Sequence, residues 1–130
     1  MIQLERLRPS RSGFVPASLC FAPSRVDVRA FVIGGKLFAA IERRASGWRT
    51  NLARGAAAQA VKLPEDAKVL ALRAAAAVGA DYAGVDLIKD RDGQTHVLEV
   101  NGIPGWKGLQ QATGLDVAGA LIDNLLARNE

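Results

Sequence analysis

The stretch from Ala83 to Gly105 reads AGVDLIKDRDGQTHVLEVNGIPG. Its apolar runs, Ala83 to Ile88 and His96 to Val100, flank Asp92-Gly93, a dipeptide that favours the type I′ turn of a two-residue β-hairpin. With Asp92 and Gly93 as the loop, Asp86 lies directly opposite Glu99. Strand alternation then puts Gly84, Asp86 and Ile88 on one face with Val97, Glu99 and Asn101, and puts Val85, Leu87, Leu98 and Val100 on the other. One side belongs to a core. The other brings two carboxylates and an amide to cross-strand contact distance, about 5 Å between Cβ atoms.

Like charges directly opposite each other destabilise a sheet. A shared proton, a nearby arginine or a bound cation can offset the repulsion, and the residues alone leave all three open. Carboxylate and amide oxygens are hard ligands that suit Mg²⁺ or Mn²⁺ rather than zinc. Mg²⁺ usually takes one or two carboxylates and completes its shell with water and phosphate oxygens. Asp86, Glu99 and Asn101 fit that role. An amphipathic hairpin with a polar outer face is the plain alternative.

Upstream, Val26 to Ile33 and Lys36 to Arg44 flank Gly34-Gly35, a second two-residue hairpin signal. Continued pairing from that turn gives an apolar face of Val28, Ala30, Val32, Leu37, Ala39 and Ile41. The opposite face carries Asp27, Arg29, Phe31, Phe38, Glu42 and Arg44. Arg29 and Arg44 either pair across the strands with Glu42 and Asp27 or present guanidiniums to phosphate oxygens, for which arginine is well suited. The segment 47–55, GWRTNLARG, mixes cationic, amide and hydroxyl groups, as a loop clasping an anion would; Trp48 is expected to anchor it in the core.

Pro64-Glu65-Asp66 opens a helix that is expected to run to about Val78 and stop at Gly79, with Leu70, Ala74, Ala77 and Val78 as its buried stripe. Trp106-Lys107-Gly108 reads as a loop. Asp116 is the expected N-cap of a last helix to about Arg128, with Val117, Leu121, Ile122 and Leu125 facing inward. His96 has no ligand-spaced partner and is read as structural. Residues 1–25, with Pro9, Pro16 and Pro23, read as an irregular leader to a domain spanning 26–130.

The 130 residues are 49% hydrophobic and 23% charged, which is ordinary for one globular domain. A single cysteine and the absence of a run long enough to span a bilayer favour a cytoplasmic setting without a membrane role. Much of the net charge of +4 sits at one end, where residues 1–29 hold five arginines against two acidic residues. No basic stripe with interleaved aromatics is present, so nucleic acid is not expected as a partner.

Four ordered motifs carry a resemblance: D-V-R-A-F-V-I-G-G from Asp27, E-R-R from Glu42 with W-R-T-N-L-A-R-G-A from Trp48, D-Y-A-G-V-D-L from Asp81, and E-V-N-G-I-P-G from Glu99. Together they resemble the RimK-like branch of the ATP-grasp ligases over Asp27 to about Leu126. The resemblance implies an α+β fold, two antiparallel hairpins with two helices packed on one face, as in the C-terminal lobe of an ATP-grasp domain. It also implies a carboxylate-amine ligase that uses ATP and Mg²⁺ (or Mn²⁺) through an acyl-phosphate. Glu99 would bridge two ions with Asp86 and Asn101 as further ligands, Arg29 and Arg44 would act on the transferred phosphoryl, and Arg49 and Asn51 with Arg29 would contact the nucleotide. Expected partners are an amino acid such as glutamate and an acceptor that is a protein tail, a cofactor or an amino-acid precursor; a homo-oligomer is compatible with this. The phosphate-gripping lysines of the other ATP-grasp half are not matched here, which leaves a non-catalytic binding or structural module as the alternative reading.

Overall fold

The computed structural model describes residues 25–45 and 57–129. In chain order these form β1 (Arg25–Ile33), β2 (Lys36–Ala45), β3 (Ala57–Ala60), α1 (Glu65–Ala77), β4 (Tyr82–Lys89), β5 (Thr95–Asn101), α2 (Lys107–Thr113) and α3 (Val117–Ala127). The strands make one five-stranded antiparallel sheet in the order β3-β2-β1-β4-β5. The α+β class and both hairpins are as expected. The leader and the 47–55 loop, with Trp48, Arg49 and Asn51, lie outside the described residues.

Each hairpin departs from simple pairing at one point. Gly34 and Gly35 both have positive φ, +58° and +75°, as a type I′ turn demands. Pairing follows from that turn to Val32↔Leu37, then skips Phe38 and resumes at Phe31↔Ala39. This bulge turns the rest of β2 over, so Arg43 rather than Arg44 shares a face with Asp27 and Arg29. In the second hairpin only Gly93 has positive φ, at +80°, so Asp92-Gly93 is not a type I′ turn. Asp90 and Gln94 close a longer loop instead, with the Gly93 amide donating to the Asp90 carbonyl. Pairing runs Lys89↔Thr95 to Leu87↔Val97, skips Leu98 and resumes at Asp86↔Glu99. Val97 is therefore buried in the core and Leu98 is exposed, the reverse of the expected faces.

Helices cover both faces of the sheet, where two on one face were expected. On one side α1 packs Ala67, Ala71, Ala74 and Ala75 onto Ala30, Val32, Ala83, Val85, Leu87 and Val97. The alanines let the helix approach the strands closely; the stripe is turned from the expected one, and Ala77 and Val78 are exposed. On the other side Leu109 of α2 and Val117 of α3 bury Phe31 and Ile41. The segment expected to be a loop after Pro104 thus opens α2, which Gly114 ends in the left-handed conformation. Asp116 caps α3 by accepting from the Gly119 amide at 3.0 Å. Val117 faces inward as expected, whereas Ile122 and Leu125 are exposed. Among the described residues no helix is long and apolar enough to cross a membrane.

Candidate functional site

On their face of the sheet α2 lies over β3 and β2 and α3 lies over β1 beside Gly34, and charged residues hold the remainder. Cross-strand register makes two adjacent rows there: Arg29, Asp86 and Glu99 on β1, β4 and β5, and Arg43, Asp27, Ile88 and His96 on β2, β1, β4 and β5. Arg29 lies directly opposite Asp86 in the β1–β4 register, donating from Nε to Oδ1 at 2.7 Å and from Nη2 to Oδ2 at 2.9 Å. Arg29 thus supplies a countercharge beside the Asp86–Glu99 pair. The Asp86 hydrogen bonds hold the Arg29 guanidinium above the usual arginine range despite its partial burial, with Asp86, Asp27 and Glu99 adding attraction.

Arg43 donates from Nη2 to Asp27 and lies 3.3 Å from Asp86 Oδ1. Asp27, Arg43 and Asp86 are all buried. Arg44, by contrast, emerges on the opposite face with its side chain 68% exposed and donates to Glu42 on its own strand. The expectation that Arg44 stands beside Arg29 is therefore corrected: the Phe38 bulge gives that place to Arg43. The structure brings together Arg29, Asp86 and Glu99, with Asn101 one strand repeat further along the face.

The tail after β5 is held firmly against this face. Asn101 Oδ1 accepts from the Ile103 amide at 2.9 Å, Pro104 is buried, and the Tyr82 hydroxyl donates to the Pro104 carbonyl at 2.9 Å. Burial pushes the Tyr82 phenol up. A Cβ on Gly84 would lie 2.8 Å from Pro104 Cβ and 3.3 Å from Arg29 Cδ, so glycine lets the tail cross β4 beside the arginine stem. Gly84, Tyr82, Asp27 and Arg43 were not singled out from the sequence. A glycine inside an otherwise apolar strand was the available signal for the first. For Arg43 there was none, because the bulge carries no sequence mark that separates it from Arg44.

The oxygens that face outward can take a hard cation. Glu99 is exposed and makes no ion pair among the described residues, Asn101 Oδ1 keeps a second lone pair, and each Asp86 oxygen holds capacity beyond its bond to Arg29. Among the described residues no three of His, Cys, Asp and Glu converge to hold an ion by themselves. The donor set thus suits a cation that brings other oxygens with it. A cavity of about 350 Å³ lined by Val28, Glu42, Leu63, Ala67 and Leu87 lies on the α1 face, away from this row.

Residues 19–125 match the RimK-like ATP-grasp domain. The chain belongs to that family. It is 49% identical over 102 residues to a probable alpha-L-glutamate ligase 2 of Hahella chejuensis, covering 77% of this chain and 33% of that protein. A probable alpha-L-glutamate ligase of Shewanella loihica is 46% identical over 99 residues, covering 75% and 33%. The chain therefore spans about a third of the length of these relatives. Among solved structures it is similar to the ATP-grasp ligase PsnB in complex with a minimal precursor variant, Mg and ADP, at TM-score 0.67 and 28% identity over 81% of this chain and 32% of that one. The fold is shared with the macrocyclase MdnC of Microcystis aeruginosa at TM-score 0.60 and 17% identity, covering 82% of this chain and 31% of that one.

Proposed function

We propose that this chain is the metal- and ATP-binding part of a carboxylate-amine ligase that works through an acyl-phosphate and adds an amino acid such as glutamate to an acceptor. The observation that carries the reading is the row Arg29, Asp86, Glu99 with Asn101 on the same face, in a chain of the RimK-like ATP-grasp family. PsnB, similar in fold and sequence, was solved with Mg and ADP, which supports the same ligands here. The glutamate ligases among its relatives support the amino-acid class.

In this reading Glu99, Asn101 and Asp86 would hold Mg²⁺, which would neutralise charge developing on the phosphoryl group of bound ATP. Arg29 contributes a fixed positive charge beside these oxygens. Its present pairing with Asp86 keeps the guanidinium oriented and out of bulk water. The buried Asp27–Arg43 pair flanks the row on the same face. The tail fastened by Asn101, Pro104 and Tyr82 limits movement of β5, so that Glu99 keeps its direction. Arg44 takes no part, and Arg49 and Asn51 keep the nucleotide-contacting role their motif implies.

Calorimetric titration of the chain with ADP, in the presence and absence of Mg²⁺, tests this. Heat that requires Mg²⁺ and disappears in Glu99→Gln is expected. A Glu99→Gln chain that binds Mg²⁺-ADP like the wild type would remove Glu99 from the metal site and leave the row as an ordinary charged sheet surface.

A further inference from the structure

Two arginines address Asp86, and their circumstances differ. Arg29, 17% exposed in its side chain, bonds among the described residues to Asp86 alone. Arg43, 10% exposed, is tied to Asp27, whose own side chain is 8% exposed and belongs to the neighbouring row. From that anchor its Nη2 stands 3.3 Å from Asp86 Oδ1. We propose that Arg43, anchored by Asp27, is the positioning residue of this site, holding the Asp86 carboxylate in place when Arg29 leaves it for a phosphate.

The inference rests on the ligase reading above, and the physical argument runs through Arg29. A phosphate that competes for a guanidinium draws Arg29 off Asp86, because both partners want the same planar pair of N–H donors. A buried carboxylate left without a countercharge is strongly unfavourable and turns toward water. Arg43 prevents this, since its anchor Asp27 holds it in the next row of the same face, beside Asp86. Both contacts run through the single Nη2 nitrogen at the far end of the guanidinium; a lysine nitrogen, one bond nearer the backbone, falls short of that point between the two carboxylates.

Arg43→Lys keeps the charge and loses the reach of Nη2. Mn²⁺ binding to the chain is followed by water-proton relaxation, and the fraction abolished by Glu99→Gln defines the site. Loss of a group that orients a ligand typically weakens metal affinity 10–100-fold, so Arg43→Lys is expected to bind Mn²⁺ at least about tenfold more weakly. Equal affinity of Arg43→Lys and wild type overturns the proposal. A ligand-free measurement stands beside it, a crystal structure of Arg29→Met: Asp86 Oδ1 still within ion-pairing distance of Arg43 Nη2 supports the proposal, and an Asp86 turned to solvent overturns it. Absence of any Mn²⁺ site in the wild type would sink the metal reading, while the Arg29→Met structure would still decide whether Arg43 holds Asp86.

Discussion

The two hairpins of the sheet fail simple pairing in opposite ways. In β1–β2 the turn is the expected type I′ pair of glycines, yet the Phe38 bulge shifts every pair beyond it by one residue. In β4–β5 the turn is not the expected one, yet the Leu98 bulge restores the pairing of Asp86 with Glu99. A correct turn thus gave a wrong arginine, and an incorrect turn gave the right carboxylates. Turn chemistry fixes register only as far as the first bulge, and in both hairpins a bulge lies between the turn and the charged rows, as bulges beside functional sites often do.

The comparison breaks most visibly at Arg43 and Arg44. Arg43→Met strips the buried Asp27 of its partner and is expected to cost about 3–5 kcal/mol in urea unfolding. Arg44→Met removes only an exposed pair with Glu42 and should stay within about 0.5 kcal/mol. If Arg44→Met is the costlier change, β2 pairs with β1 without the Phe38 bulge, and Arg44 returns to the face of Arg29.

The first positions of the two turn dipeptides, Gly34 and Asp92, give a smaller contrast. Gly34→Ala forces a side chain into the left-handed region, at about 1–2 kcal/mol. Its Cβ would also run into Asn124 Oδ1, so the α3 side chain must move. Asp92 has ordinary φ, and Asp92→Ala should change stability by less than about 0.5 kcal/mol. A cost at Asp92 equal to that at Gly34 would restore the type I′ turn to the second hairpin.

These hairpins also mark how far the fold could be read from the residues. The α+β class, both hairpins, α1 and the Asp116 cap of α3 followed from local signals: a Gly-Gly turn, Pro64 ahead of two acids, an N-cap aspartate before an apolar run. Arg29 and Asp86 were legible because each lies where alternation within its own strand leads, and Glu99 because the Leu98 bulge cancels the error in the turn. What was missed depends on contacts between distant segments. β3 and α2 are short and earn their structure by packing, α2 through Leu109 against Phe31 and Ile41. The division of helices between faces rests on tertiary packing, α1 on Ala30, Val32 and Val85 and α2 with α3 on Phe31 and Ile41, and no periodicity records that. The pairing of Asp86 with Arg29 was one of three open possibilities, and only the β1–β4 register, a contact between residues 57 apart, selects it.

The smallest effect expected lies in the loop that replaced the two-residue turn. Asp90 Oδ1 accepts from the amides of Asp92 and Gln94, both at 2.9 Å, and Oδ2 lies 2.7 Å from His96 Nε2. The His96 hydrogen bond, then those of the two amides, holds the Asp90 carboxyl below the usual carboxylate range. A carboxyl whose pKa is depressed by folding binds fewer protons in the folded state than in the unfolded chain. Its stabilisation is therefore complete above the unfolded value of about 3.9 and is lost as pH falls through the lower folded value. Asp90→Asn keeps an acceptor for the amides but removes the charge, so its melting temperature should fall slightly below that of the wild type at neutral pH. The gap should close as pH drops through and below the carboxylate range, where the wild-type Asp90 also becomes neutral. A gap that stays constant down to that range would mean that shape rather than charge holds the loop, and that the Leu98 bulge, not Asp90, sets the register of the second hairpin.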